Sequence, residues 1–168
     1  ADFGGELLLL GTPRRFSGPI AARRAGVATI HQELSLVESM SVADNLALGR
    51  APGGALSVYD RAAARREADR ILAAIGVEAS PDTLVGELPI GARQLVEIGK
   101  ALIEDASLFL FDEPTSAQNE AEAERLFSRI ERLRAEGKAV LFVSHRTNDL
   151  DRLADRITVI RDGEVALS

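Results

Sequence analysis

Cysteine is absent from the 168 residues, which excludes a disulfide framework and a cysteine-ligated zinc site. Histidine is scarce: His31 and His145 alone leave too few ligands for other transition-metal sites, so metal chemistry would fall to oxygen donors. There is no cationic excess either. Twenty Lys and Arg against 26 Asp and Glu give a formal charge of −6, which speaks against a broad basic face and against nucleic acid as the main partner. Long apolar runs are missing as well. Residues 7–10 and 139–143 are far shorter than the ~20 residues that cross a bilayer, and no charged-then-apolar leader opens the chain, so a soluble, non-exported chain is expected. Methionine occurs once, at Met40, and the chain starts Ala1-Asp2; we expect a processed or excised piece of something longer. The 46% of apolar residues suffices for one domain or a little more, burying roughly two thirds of its unfolded surface.

The punctuation of the chain predicts its elements. Four leucines at 7–10, then Gly11-Thr12-Pro13 and Arg14-Arg15-Phe16, read as an antiparallel hairpin. A brief helix over 21–25 closes at Gly26, and Val27-Ala28-Thr29-Ile30 is a β-branched strand ending at polar His31-Gln32-Glu33. Ser41, with Asp44 three residues on, caps a helix that stops at Gly49; Pro52-Gly53-Gly54 forms a loop. Asp60 caps the next helix, in which Ala64, Ala68, Ile71, Leu72 and Ile75 recur at helical steps before Gly76. Its other face, Arg61, Arg65, Arg66, Glu67, Asp69 and Arg70, is a solvated mixed-charge surface.

From Gly91 onward helix and strand alternate. Leu95, Ile98, Leu102 and Ile103 form the stripe of a helix running to about Glu104. Residues 107–111 read as a strand buried on both sides, with Phe109 and Phe111 in the core. Asn119 and Glu122 make a capping box for a helix whose apolar face is Leu126, Phe127, Ile130 and Leu133, ended by Gly137. Residues 139–143 are a second buried strand and 157–160 a third, turning at Asp162-Gly163 into 164–167. Strand, helix, strand of these lengths implies a right-handed crossover and a parallel sheet.

Two parallel strands joined by a crossover helix end on the same side of the sheet, where open α/β sheets hold ligands. That brings Asp112-Glu113 and Ser144-His145 together. A carboxylate leaving a buried strand, as Asp112 does, suits magnesium, which prefers oxygen and keeps several waters. Glu113 beside it is suited to orienting or deprotonating a water, and His145 to donating a hydrogen bond to a charged oxygen. His31 reads as a loop or packing histidine, and the Arg14-Arg15 and Arg23-Arg24 pairs as solvated.

Residues 108–117, Leu-Phe-Leu-Phe-Asp-Glu-Pro-Thr-Ser-Ala, resemble the Walker B segment and D-loop of ABC transporter ATPases, and Val143-Ser144-His145-Arg146 their switch histidine. Ile30-His31-Gln32-Glu33 and the following 34–46 resemble the Q-loop and the start of the helical subdomain. Leu88-Pro89-Ile90-Gly91-Ala92-Arg93-Gln94 stands in the place of the signature motif. Ile30 to Leu34, Val96-Glu97-Ile98 and Ser144-His145-Arg146 are similar to the first nucleotide-binding half of bacterial monosaccharide importer ATPases. The resemblance implies an α/β ABC-type ATPase domain that lacks its N-terminal strand and phosphate loop and carries an inserted helical subdomain. The expected division is a β portion with the Q-loop at 1–33, a helical subdomain with the signature motif at 34–106, and the Walker B, D-loop and switch-histidine portion at 107–168.

The implied roles go residue by residue: Gln32 and Asp112 on magnesium, Glu113 as general base, His145 on the γ-phosphate, and Gly91 toward ATP held by an opposing ATPase half. The resemblance also implies ATP and Mg2+ as ligands, transmembrane permease subunits and a second ATPase half as partners, and a peripheral place on the cytoplasmic face of the bacterial inner membrane. Three departures stand out. The pattern G-x-x-x-x-G-K-[ST] is absent: Gly99-Lys100 has Gln94 at the leading position and Ala101 after the lysine, while Gly137-Lys138 has Arg132 at that leading position. These read as a helix-interior pair and a helix stop, and the missing loop as truncation. Pro89 stands where the signature motif has serine, and Gln118 where the D-loop has an apolar residue, so a weak composite site is expected. Two other readings are a non-catalytic truncated module that keeps partner-binding surfaces but holds no nucleotide, and a magnesium-dependent phosphohydrolase unrelated to transport.

Overall fold

The computed structural model describes residues 5–30, 35–48, 60–116 and 118–167. Gln32, His31, the expected stop at Gly49, the 52–54 loop, the 33/34 division and Ala117 lie outside the described residues.

A short antiparallel hairpin, β1 (Leu8–Leu9) and β2 (Thr12–Pro13), comes first among the described residues. Leu10 and Gly11 between them both have positive φ, 52° and 72°, the two-residue turn whose twist matches that of paired strands. The return strand is therefore Thr12–Pro13 rather than 14–16, because the turn is made one step earlier than the Gly-Thr-Pro sequence suggested. Helix α1 (Pro19–Arg24) ends before Gly26, at φ 89°, and leads into β3 (Val27–Ile30).

Three α-helices follow among the described residues before the next strand. In α2 (Val42–Ala47) the Ser41 hydroxyl accepts the Asp44 N–H at 3.1 Å. Asn45 is fully buried; its amide donates to the carbonyls of Val37, Met40 and Ser41 and accepts the Val37 N–H, so one side chain ties down the approach to α2. In α3 (Arg61–Ile75) Asp60 caps the Ala63 N–H at 3.0 Å, and Gly76 closes the helix in the left-handed region. Ala68, Leu72 and Ile75 point inward as expected. Helix α4 (Ile90–Ile103) departs from a simple stripe: it is buried from Gln94 through Gly99 without a break. It lies against α2, α3, α5 (Glu120–Ala135) and β3 at once, so it has almost no solvent face. Gly99 fits this crowding, since a Cβ there would stand 2.6 Å from Ile71 Cγ2. The Gly99-Lys100 pair is thus helix interior, as read from the sequence.

The central sheet is parallel, in the order β3–β4 (Leu108–Asp112)–β5 (Ala139–Val143). The register sets Ile30, Phe111 and Phe142 side by side, with Ala28, Phe109 and Val140 one step back. These residues face the helices. Phe109 and Phe111 are completely buried, each stabilising the fold by roughly 1.5–3 kcal/mol relative to exposure, and Phe127 of α5 meets Phe142 edge-on at 6.5 Å. The expectation that both strands are buried on two sides is corrected. Thr29, Leu141 and Val143 on the opposite face are exposed and Leu110 only half-buried; Leu141 is 54% and Val143 50% exposed. No element among the described residues covers that face.

Helix α5 carries the expected capping box, Asn119 with Glu122, and its buried Leu126, Phe127, Ile130 and Leu133. Gly137, at φ 80°, follows its end. Helix α6 (Thr147–Leu153) comes directly after β5. The last strands, β6 (Val159–Arg161) and β7 (Glu164–Leu167), pair with each other through Asp162 and Gly163, both at positive φ. The third buried strand expected at 157–160 is instead one arm of this hairpin and exposed throughout, because among the described residues β6 pairs with β7 alone.

Candidate functional site

The carboxyl ends of β4 and β5 lie together because Asp112 is registered against Val143. The chain leaves β4 through Asp112 and turns sharply at Glu113. Glu113 has φ 45°, a left-handed conformation that costs a side-chain-bearing residue about 1–2 kcal/mol. The turn is held by hydrogen bonds: the Glu113 N–H donates to the Val143 carbonyl at 3.0 Å, and its carbonyl accepts the Ser116 N–H at 3.2 Å.

This backbone aims the Glu113 carboxylate at His145, whose Nδ1 is 3.2 Å from Glu113 Oε1. Both side chains reach solvent, His145 the more so. An ionised carboxylate only accepts, so the contact is a hydrogen bond in the tautomer that carries its proton on Nδ1. The imidazole then offers Nε2 as an acceptor when neutral and as a second donor when protonated. Asp112 beside them keeps its carboxylate exposed at the strand end.

Among the described residues no three His, Asp or Glu side chains form a cluster able to hold a metal by themselves. Asp112 nonetheless fits one kind of cation. Magnesium is commonly bound by one or two carboxylates, with water and substrate phosphates completing its shell.

Gly91 is in the first turn of α4. It is buried, and a Cβ on it would meet Glu122 Cγ at 3.0 Å and Cβ at 3.1 Å. Its lack of a side chain is accounted for by the packing of α4 on α5. Pro89 is the N-cap of α4 and gives no side-chain cap. Beside it lies an open cleft of about 440 Å³ lined by Val77, Glu78, Pro89, Gly91, Glu122 and Arg125 among others; neither Glu113 nor His145 lines it.

Asp149 was not singled out from sequence, and the sequence motifs that contain Gln94, Glu97, Thr115, Gln118 and Arg146 do not specify the contacts these residues make. Gln94, buried in α4, donates from Nε2 to the Pro114 carbonyl at 2.8 Å and accepts from Gln118 Nε2. Thr115 Oγ1 donates to Asp149 Oδ2 at 2.7 Å. Arg146 lies across both, with Nε 3.8 Å from Asp149 Oδ1 and Nη1 donating to the Thr115 carbonyl at 3.4 Å. Glu97, also in α4, accepts the Ser35 N–H at 2.7 Å and the Ser35 hydroxyl. The i, i+3 spacing of Arg146 and Asp149 was a usable sequence signal; the other contacts join segments too far apart to be paired by pattern.

A family model described as ABC transporter matches residues 4–116, more than half of the chain. The chain belongs to the ABC transporter family. It is 45% identical over 166 residues to Ribose import ATP-binding protein RbsA 2 of Burkholderia pseudomallei strain 1710b, covering 97% of this chain and 32% of that protein. It is 48% identical over 159 residues to Arabinose import ATP-binding protein AraG 2 of Burkholderia ambifaria, covering 95% of this chain and 30% of that protein. The chain thus spans about a third of the length of the curated relatives it matches. Among solved structures, a nucleotide-free ATP-binding cassette from an ABC transporter superposes with a TM-score of 0.78 at 23% identity, covering 94% of this chain and 66% of that one. CbiO1 of Clostridium perfringens gives 0.78 at 20% identity, covering 95% and 63%. At such identities the likeness establishes the fold: this ABC family chain has the architecture of an ATP-binding cassette over the matched part. No helix among its described residues is long and apolar enough to cross a membrane.

Proposed function

We propose that this chain supplies the Walker B, switch-histidine and signature portions of an ATPase subunit that powers sugar import. It acts on the cytoplasmic face of the bacterial inner membrane with transmembrane permease subunits and a second ATPase half. The observation that carries this reading is the 3.2 Å contact between Glu113 and His145 at the ends of adjacent parallel strands, next to the exposed carboxylate of Asp112. The names of the ribose and arabinose import relatives supply the transport context.

In this reading Glu113 accepts a proton from the water that attacks the γ-phosphorus of ATP, while the bond to ADP breaks. His145 orients Glu113 through Nδ1 and, as the imidazolium, donates from Nε2 to a γ-phosphate oxygen. Asp112, with Gln32, holds Mg2+; the ion neutralises phosphate charge when it is bound with the nucleotide. Gly91 and the free N–H groups opening α4 face ATP held by the opposing half. In phosphoryl transfer most of the protein's contribution is positioning and charge stabilisation, which suits a site made of one carboxylate pair and one imidazole.

The test is Glu113→Gln in the full gene product. ATP turnover is expected to fall by about 100-fold or more, with ATP binding retained; undiminished hydrolysis overturns the role of Glu113. A second reading, a non-catalytic module that keeps partner surfaces, draws on the absence of G-x-x-x-x-G-K-[ST] from the 168 residues. Calorimetric titration of the full gene product with MgATP separates the two, since that module binds no nucleotide.

A further inference from the structure

The left-handed backbone at Glu113 persists only if its surroundings over-determine it. The two local hydrogen bonds at that residue begin the task. The next two residues are fixed from opposite sides, Pro114 through its carbonyl by Gln94 of α4 and Thr115 through its hydroxyl by Asp149 of α6. The second link is the more telling. Thr115 and Asp149 are 2% and 4% exposed, and they join the loop that carries Glu113 to the helix that starts just after His145.

An acidic residue in the first turn of a helix ordinarily serves that helix's own free N–H groups. Asp149 does not: its Oδ2 takes the Thr115 hydroxyl and its Oδ1 faces the Arg146 guanidinium, whose Nη1 returns to the Thr115 carbonyl. The result is a closed ring of contacts, Thr115, Asp149 and Arg146, whose two arms lead to Glu113 on one side and His145 on the other. We infer that Asp149 is a positioning residue which, through the Thr115 hydroxyl, holds the Glu113 carboxylate against the His145 imidazole. The inference rests on the reading of Glu113 and His145 as the reacting pair, but the geometry it claims can be measured without turnover.

The first experiment follows the imidazole nitrogens of the full gene product by NMR; the signals that vanish in His145→Gln are those of His145. Glu113→Ala, which leaves no acceptor for Nδ1, defines the ring signature of a broken contact. Thr115→Val and Asp149→Ala are expected to move the His145 signals toward that signature, and Thr115→Ser to leave them at the wild-type position. Thr115→Val is isosteric and removes only the hydroxyl, so it carries the test if Asp149→Ala does not fold. Wild-type His145 signals in a folded Thr115→Val variant overturn the proposal. In the full gene product the same variants are expected to lower kcat by about 100-fold, the cost of a misplacement near 1 Å, with KM for ATP within about twofold and Thr115→Ser close to wild type. An unchanged kcat in Thr115→Val also overturns it. A wild-type gene product without ATPase activity bears on the function proposed for the pair, while the ring signals still decide what holds it.

Discussion

Glu122 occupies the space that a side chain on Gly91 would need: an added Cβ would lie 3.0 Å from its Cγ and 3.1 Å from its Cβ. Glu122 is not free to swing away without loss, because its carboxylate accepts the Asn119 N–H at 3.2 Å while Asn119 caps the Glu122 N–H at 2.9 Å. The glycine therefore sets how closely α4 approaches the start of α5. Replacing a helical glycine by alanine ordinarily gains up to about 1 kcal/mol, whereas overpacking costs about 1–3 kcal/mol. Gly91→Ala is expected to destabilise by about 1 kcal/mol on balance, and Glu122→Ala in the same chain to recover part of it. A double-mutant cycle by urea unfolding measures the coupling; strict additivity would show that the two residues do not compete for space.

Pro89 leaves the N-terminus of α4 without a side-chain cap. A serine there accepts a free N–H, worth about 1 kcal/mol, and the loss of proline's restraint on the unfolded chain removes about 0.4–1 kcal/mol. Pro89→Ser is thus expected to leave thermal stability unchanged or raise it slightly, and to raise ATPase activity in the full gene product. A clear fall in melting temperature would mean that the proline ring packs in a way the cap does not replace.

The two glutamines between α4 and α5 differ in what they leave behind. Gln94→Leu strands the Pro114 carbonyl and is expected to cost about 1–3 kcal/mol. Gln118→Leu removes the partner of Gln94 Oε1, but it also removes Gln118 Oε1, a buried acceptor without a partner. One unpaired acceptor replaces another, so this substitution is expected to lie within about 0.5 kcal/mol of wild type, in the ordinary range of substitutions that create no new defect. Denaturant midpoints of the two variants settle the order; a larger loss from Gln118→Leu would reverse the argument.

Acid weakens one identifiable contact. The hydrogen bond from Arg152, opposed by some desolvation and aided by its charge, holds the Glu124 carboxyl below its ordinary value, and the same guanidinium lies 5.0 Å above the Phe127 ring. A folded-state value below the unfolded one means that the unfolded chain binds the proton first. The stabilisation is complete above the ordinary carboxylate range and is lost as the pH falls through the depressed value. Glu124→Gln should therefore lower the urea midpoint at pH 7, with a loss that shrinks as the pH falls below the ordinary carboxylate range. A loss that stays constant with falling pH would assign the effect to packing.

The caps were legible because they are local. Ser41 with Asp44, Asp60 with Ala63, and Asn119 with Glu122 all act within three residues, and the turn at Asp162-Gly163 depends on two; the turn at Leu10-Gly11 falls one step before the Gly-Thr-Pro signal, because leucine carries no turn preference of its own. The coverage of the sheet was not legible. Leu108 and Leu110 are as apolar as Phe109 and Phe111, so the pattern of β4 reads as two-sided burial whether or not anything covers the leucines. The site divides in the same way. Asp112, Glu113 and His145 follow from strand ends in a parallel sheet, whereas Thr115 with Asp149 and Gln94 with Pro114 meet across 34 and 20 residues, a distance at which only the folded chain brings them into contact.

The uncovered face of the central sheet has a thermodynamic consequence. Leu141 and Val143 are already half in water in the native state, so unfolding hydrates less new apolar surface than it would for a parallel sheet covered on both sides. Heat-capacity change and denaturant sensitivity both follow that newly exposed surface. The chain's unfolding heat-capacity increment should thus lie below the roughly 12–15 cal/mol/K per residue of ordinary globular proteins. Its stability would then vary with temperature along a shallow curve, and any binding that dries this face would deepen the curve as well as raise it.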